Sequence, residues 1–466
     1  MWTSTKNSGE EDKIMEKEKS FLEETGKIAI PVALQVMLQS SFSMVDQIMI
    51  GQLGSVSIAG IGLVGKFTSI FHVLTAAVAS VAGIMIAQYM GQKEEKEVGR
   101  SFYLNLFVAL AVAAIFTVIS LAFPGQILDI YTRDPQTKAA AVGYLRIVAL
   151  GYFLIAVDSL LCTMLRCMEK ASLPMYASFA AVVLNTGLNY ILIFGKCGAA
   201  PMGVKGAAVA TVISQAANFI VILFLYLKYS RKQGKRLPFS LHMGAEGKRQ
   251  YLAMLLPLLV NELLWSIGEN IYAAIYGRMG TAECAAMTLM NPIQGLMIGA
   301  LSGISQAAGI IIGKELGKKE YQAAYWKSKK LMCYGLCCSA VLSVLLLLLK
   351  NLYVSIYQVE DVVKLTAQQI LVAFAIISPV KVQNMILGGG ILRSGGKTNY
   401  TLAIDLIGTW CVGVPVGLFT GFVLKLSIPY VYFFLSLEEC VRLIISLVVF
   451  KRRGWMQSLK AQEGGK

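Results

Sequence analysis

Asp46 stands in an otherwise apolar stretch of this chain, and Gln35, Gln39 and Ser43 precede it at helical spacing. At about 100° per residue these four positions fall on one side of a helix, which is therefore polar along much of its length. A carboxylate on such a face can bind a cation or carry a proton; a fixed hydrogen bond that locks helix packing is the competing reading. Asn185 and Asn189 lie one turn apart in another apolar stretch. Paired amides of this kind suit ion ligation or interhelical packing. Glu262 and Glu269 lie two turns apart on one face of a third stretch, with Asn261 beside the first. Lys381 is accompanied by Gln383 and Asn384, and the opposite charges of Glu262 and Lys381 predict an ion pair between their helices. Lys66 reads as a partner for Asp46 or as a charge lining a cavity. Asp405 reads as packing or gating, with ion binding as the alternative, and Asp158 adds one more acid. Glu438, Glu439 and Arg442 can pair locally at i, i+3 and i, i+4, which points to a structural role.

The elements that position these groups follow from composition. Hydrophobic residues make up 56% of the 466-residue chain and charged residues only 15%, too few charges to cover a soluble surface. Apolar runs of about 20 residues, enough to cross a bilayer as helix, recur twelve times. A charge at the centre of such a span costs roughly 2.5–3.5 kcal/mol, so each one needs a partner or a wet cavity. Twelve spans put both termini on one side. With the termini inside, inner segments carry 30 Lys and Arg against 8 outside, so the net charge of +15 reflects topology and not nucleic-acid binding. Residues 1–24 form a polar N-terminal tail without the pattern of a cleavable signal peptide, residues 229–250 a basic linker, and residues 452–466 a C-terminal tail. The nine cysteines lie mostly in apolar runs and show no paired metal-ligand spacing. No nucleophile–His–acid constellation, HExxH or phosphate-binding loop appears, which excludes the commoner membrane enzymes.

The two halves repeat. A shift of 226 residues places Pro31 on Pro257, Gly51 on Gly277, Gly54 on Gly280, Gly91 on Gly317 and Lys93 on Lys319. The register then slips by one, so that Arg166 falls on Arg393 and Lys170 on Lys397. An even number of spans per repeat gives both copies the same orientation. The expected fold is therefore an all-α membrane protein of twelve transmembrane helices in two homologous six-helix bundles, 25–228 and 251–451. They are related by an axis along the membrane normal and share a central cavity.

Four stretches carry a family resemblance: Met44–Gly54 (MVDQIMIGQLG), Asn185–Gly195 (NTGLNYILIFG), Gly203–Thr211 (GVKGAAVAT) and Leu392–Thr398 (LRSGGKT). With the spans and the repeat, the chain from about residue 25 to 455 resembles the multidrug and toxic compound extrusion (MATE) transporters. The resemblance implies export of drug-like, often cationic compounds in exchange for H⁺ or Na⁺. It places a coupling carboxylate at Asp46, with Asn185 and Asn189 beside it and Thr211 as a further ligand. Some members have Asp where this chain has Asn189, which leaves one negative charge fewer for Na⁺. Another branch carries a coupling carboxylate on the seventh helix, where Trp265 stands here, so a transfer of that role to Glu262 is not direct.

The expectation is an antiporter of the inner or plasma membrane, monomeric, with both termini cytoplasmic. It would work by alternating access and use no cofactor beyond the coupling ion. The rival is a lipid-linked saccharide flippase, which calls for a more cationic cleft than Lys66 and Lys381 provide. The repeat also predicts unequal lobes: Asp46 has Tyr272 at its repeat position, and Glu262 has Val36. Ion coupling is expected mainly in the first lobe, with a charge-paired second lobe.

Overall fold

The computed structural model describes residues 4–232, 238–239, 244–357 and 359–460, so the expected linker falls partly outside the described residues, as do positions 461–466 of the tail. The described residues are helical apart from the connecting segments and the stretch 453–460. The first lobe comprises α1 (Ser4–Gly51), α2 (Ser55–Gln92), α3 (Glu95–Ala122), α4 (Pro135–Cys167), α5 (Ser172–Phe194) and α6 (Val204–Lys232). The second comprises α7 (Ala245–Met279), α8 (Thr281–Gly317), α9 (Tyr321–Ser355), α10 (Asp361–Leu392), α11 (Thr398–Val423) and α12. Eleven of these helices are long and apolar enough to cross a membrane. The twelfth, expected over 428–450, is broken into Ile428–Ser436 and Glu438–Arg452.

Matching backbone geometry marks the repeat. Lys93 and Lys319 end α2 and α8 with left-handed φ of 62° and 64°, and Gly54 and Gly280 precede those helices at φ 93° and 159°. The one-residue slip has a structural origin. The end of α10, Met385–Leu392, is wound as a π-helix, whereas its counterpart in α4 is α-helical. A π turn accommodates one extra residue without breaking the helix. A second π segment, Leu406–Gly413, lies in α11.

The lobes meet toward the side that carries the chain termini, called here the terminal side. There α8 packs against α1 and α2. The ends of α2 and α8 touch backbone to backbone. A Cβ at Gly91 would lie 2.1 Å from the Lys314 carbonyl oxygen, and one at Gly317 would lie 2.0 Å from that of Gln88. Only glycine permits this approach. The charged extension of α1 reaches the second lobe as well: Phe21 meets Trp326, Glu18 pairs with Lys330, and Glu24 pairs with Lys327. Glu169, in the turn after α4, pairs with Lys314 of α8. Each lobe holds a cavity in its half away from the termini, and another of about 310 Å³ lies between the lobes among Gln35, Asp158, Arg166, Ser305 and Arg393.

Candidate functional site

The first-lobe cavity, of about 470 Å³, is lined by α1, α2, α5 and α6. Asp46, half-buried, accepts a short hydrogen bond from the Nδ2 of Asn189, which is fully buried. The same amide donates to the Asn185 Oδ1 at 3.1 Å, so the one-turn spacing on α5 aligns both amides with the carboxylate. Thr211, Asn185 and Gln39 also line the cavity; the Thr211 hydroxyl donates back to the Ala207 carbonyl. The amide oxygens of Asn189, Gln215 and Asn218 are buried without a hydrogen-bond donor. The oxygen of Gln215 lies against Gly151, so the cluster beside Asp46 is one carboxylate and two amides with the Asn189 oxygen left unpaired, a donor set that suits a proton or a hard cation. Among the described residues, no group of three or more His, Cys, Asp or Glu could hold a metal ion.

Two expectations for this lobe need correction. Gln35 shares the polar face of α1 but not the Asp46 cluster. It is buried, donates to the Ser178 hydroxyl at 2.8 Å and accepts from Arg166 at 2.9 Å. Eleven residues of helix, roughly 16 Å, separate it from Asp46. Lys66 is exposed and forms no ion pair with Asp46. His72, Ser214, Gln215 and Asn218 line the cavity without having been singled out as site residues. Ser214, Gln215 and Asn218 follow Thr211 at helical spacing, a signal present in the sequence.

The second-lobe cavity, about 490 Å³, is lined by Glu269, Tyr272, Tyr276, Lys381, Glu438 and Glu439 among others. The expected Glu262–Lys381 pair does not form. Glu262 pairs with Arg393 at 3.0 Å, and Lys381 pairs with Glu439 at 3.7 Å. The reason is axial position: Lys381 lies twelve residues before Arg393, roughly 18 Å along α10, and meets α12 there. The repeat-related arginines Arg166 and Arg393 make similar bonds, to Gln35 and Glu262, although Glu262 stands one residue past the repeat position of Gln35.

Arg442 is the hub of the second lobe. It lies 3.3 Å from Glu438, 3.9 Å from Glu439 and 3.8 Å from Asp405, and it donates to the Thr409 hydroxyl. Asn384 donates to the Glu439 carboxylate at 2.8 Å, and Tyr272 donates to Glu438. Local pairing along α12 is therefore present as expected, but its members also reach α7, α10 and α11. Glu438, Glu439 and Arg442 are all buried. Four acids (Glu269, Asp405, Glu438 and Glu439) accompany two bases (Lys381 and Arg442), so this cluster is acidic in sum and Glu269 stands exposed to the cavity.

The MatE family profile matches residues 31–191 and again 257–419, one copy per lobe, and the chain belongs to that family. It is 24% identical over 438 residues to the "Uncharacterized transporter YisQ" of Bacillus subtilis (strain 168), covering 92% of this chain and 93% of that one. It is 25% identical to a "Probable multidrug resistance protein NorM" of Photorhabdus laumondii, with 86% of each chain covered. Among solved structures, "Crystal structure of MATE in complex with MaL6" superposes with a TM-score of 0.84 at 18% identity, covering 92% of this chain and 95% of that one. "Outward-facing conformation of a multidrug resistance MATE family transporter of the MOP superfamily" does so at 0.83 and 19%, with the same coverage. The protein is a multi-pass membrane transporter and not an enzyme.

The family matches begin 226 residues apart and end 228 apart, so the second π segment coincides with a further slip. At that final offset Asn185 and Asn189 correspond to Gly413 and Gly417. A Cβ at Gly413 would lie 2.0 Å from the Tyr272 hydroxyl and 2.1 Å from Glu438. The amides that hold Asp46 in one lobe are thus replaced in the other by glycines: Gly413 makes room for the Tyr272–Glu438 pair and Gly417 for Leu435 and Ile275.

Proposed function

We propose that this transporter exports lipophilic, often cationic compounds in exchange for H⁺ or Na⁺ by alternating access, with Asp46 as the coupling carboxylate. The observation that carries the proposal is the Asp46–Asn189–Asn185 chain beside a cavity that Asp46 and Asn185 both line. The names of its multidrug-resistance relatives support the substrate class. The lobes run over residues 25–228 and 251–451. The terminal side is cytoplasmic by its excess of basic residues, which makes the closed side inward and the cavities outward-facing. An ion that binds better in one state than in the other shifts the equilibrium between them, and substrate competes through the same difference. The protein acts as a monomer in the cell membrane. Acidic groups in the second lobe favour a cationic substrate over the pyrophosphate of a lipid-linked saccharide.

The test is uptake of a fluorescent organic cation into inverted vesicles under an imposed proton or sodium gradient. Wild type is expected to transport with one of the two gradients, and Asp46→Asn to lose the gradient dependence. Equal gradient-driven transport by both would overturn the assignment of Asp46.

A further inference from the structure

We propose that residues 453–460 form a strap that joins the two lobes on the terminal side and must detach before that side opens. The inference rests on the alternating-access reading and adds a component to it. The strap begins where Arg453, with a left-handed φ of 56°, ends α12 and lies over the Tyr325 ring at 4.3 Å. The chain then turns back. Trp455 is fully buried, stacked on Phe450 at 5.7 Å, and its indole donates to the Phe450 carbonyl at 3.2 Å. Its backbone crosses Gly395 so closely that a Cβ there would lie 1.7 Å from the Trp455 carbonyl oxygen. Leu459 is buried against Gly396 and Met254. This much anchors the strap to the second lobe.

The rest of it bonds to α2 of the first lobe. Gln88, fully buried, accepts from the Leu459 amide at 2.7 Å and donates to the Gln457 carbonyl at 3.2 Å and the Ser394 carbonyl at 2.6 Å. Gln92 donates to the Leu459 carbonyl at 2.7 Å and the Ser458 hydroxyl at 3.1 Å, and Tyr89 donates to the Lys460 carbonyl at 3.3 Å. One glutamine therefore ties together α2, α10 and the tail. The strap has no regular secondary structure, so these side chains satisfy backbone groups that a helix would have satisfied itself. They do so only while α2 lies beside the end of α10. Separation of the lobes on this side removes all of these bonds at once. That difference in contacts between two states is what biases a conformational equilibrium. The repeat marks the same place: at the offset of 227 Gly395 corresponds to Met168, so the chain departs from its own symmetry where the strap crosses.

The experiment uses the full-length chain in lipid nanodiscs, in a background without the nine native cysteines. Spin labels at Lys170→Cys and Lys319→Cys, exposed turns of opposite lobes on the terminal side, report the distance between lobes. Leu459→Asp, which removes the strap's apolar anchor, is expected to raise the long-distance fraction at least about fivefold over the unmodified strap. A Gln92→Cys/Ser458→Cys pair, oxidised to a disulfide, is expected to abolish that fraction and to stop vesicle transport until reductant is added. Identical distance distributions in all three proteins would overturn the strap, as would undiminished transport by the cross-linked form. If wild type fails to export the cation, the efflux reading falls while the distance distributions still decide the strap.

Discussion

The two lobes share a backbone and differ in what they do with buried charge. In the first, one carboxylate is held by amides, with no basic residue among the described ones paired to it, at the wall of a cavity. In the second, acids and bases are threaded into a network around Arg442 that spans four helices. An under-satisfied site can gain and lose an ion at small structural cost. A network of paired charges resists change, because removing one member leaves the others unpaired in a poorly solvated place. Gene duplication supplied two equal frames, and the glycines at 413 and 417 let the second be filled differently.

This contrast can be broken by experiment. The largest effect expected is on transport: Asp46→Asn should reduce ion-driven export at least about tenfold, yet leave the thermal midpoint of the detergent-solubilised protein nearly unchanged. A drop in midpoint as large as the loss of transport would show the first lobe to be a structural network too. Next, Glu439→Ala should destabilise strongly, by about 3–5 kcal/mol, because it strands Lys381 and removes one of the partners of Arg442. Thermal unfolding checks this, and a change under about 1 kcal/mol would dissolve the distinction between the lobes. A third prediction concerns partners. The Lys381→Glu/Glu439→Lys exchange should recover part of the stability lost in each single variant, whereas Lys381→Glu/Glu262→Lys should recover none. Rescue by the second exchange would restore the pairing that the structure replaces.

The smallest effect concerns the terminal side. Burial alone would raise the Glu169 carboxyl, but the Lys314 ammonium bonded to it more than offsets this and holds it below the usual carboxylate range. A depressed folded value means that the pair stabilises closure above the unfolded value near 4.5 and that this is lost as pH falls through the folded value. Glu169 is 43% exposed, so screening limits the contribution to below about 1 kcal/mol. Glu169→Gln should remove this acid-side sensitivity of the lobe-to-lobe distance; an unchanged profile would place its origin elsewhere.

Much of this was legible in the sequence, for identifiable reasons. Helical spacing aligned Asn185 with Asn189, and the repeat offset exposed the two frames and their slip. The wound-in residue of α10 that causes the slip needed coordinates. Partners across helices were not legible. Gln35 lies on the same helical face as Asp46, but Arg166, which claims it, arrives from α4 at a depth that periodicity along α1 does not encode. Glu438 and Glu439 were read from their spacing to Arg442, and spacing along one helix is blind to the Lys381 and Tyr272 side chains facing it. The strap was invisible because its function lies in backbone groups, which every sequence has.

The break in α12 has a consequence for biogenesis. The segment Glu438–Arg452 begins with two buried acids followed one turn later by Arg442, and at 15 residues it is too short to cross a bilayer without Ile428–Ser436 before it. Such a segment partitions poorly into lipid on its own. In the fold its charged groups meet Lys381 and Asn384 of α10 and Thr409 of α11. The last helix thus depends for its charges on helices made before it, and a chain lacking Lys381 should leave α12, and the tail behind it, more accessible to protease.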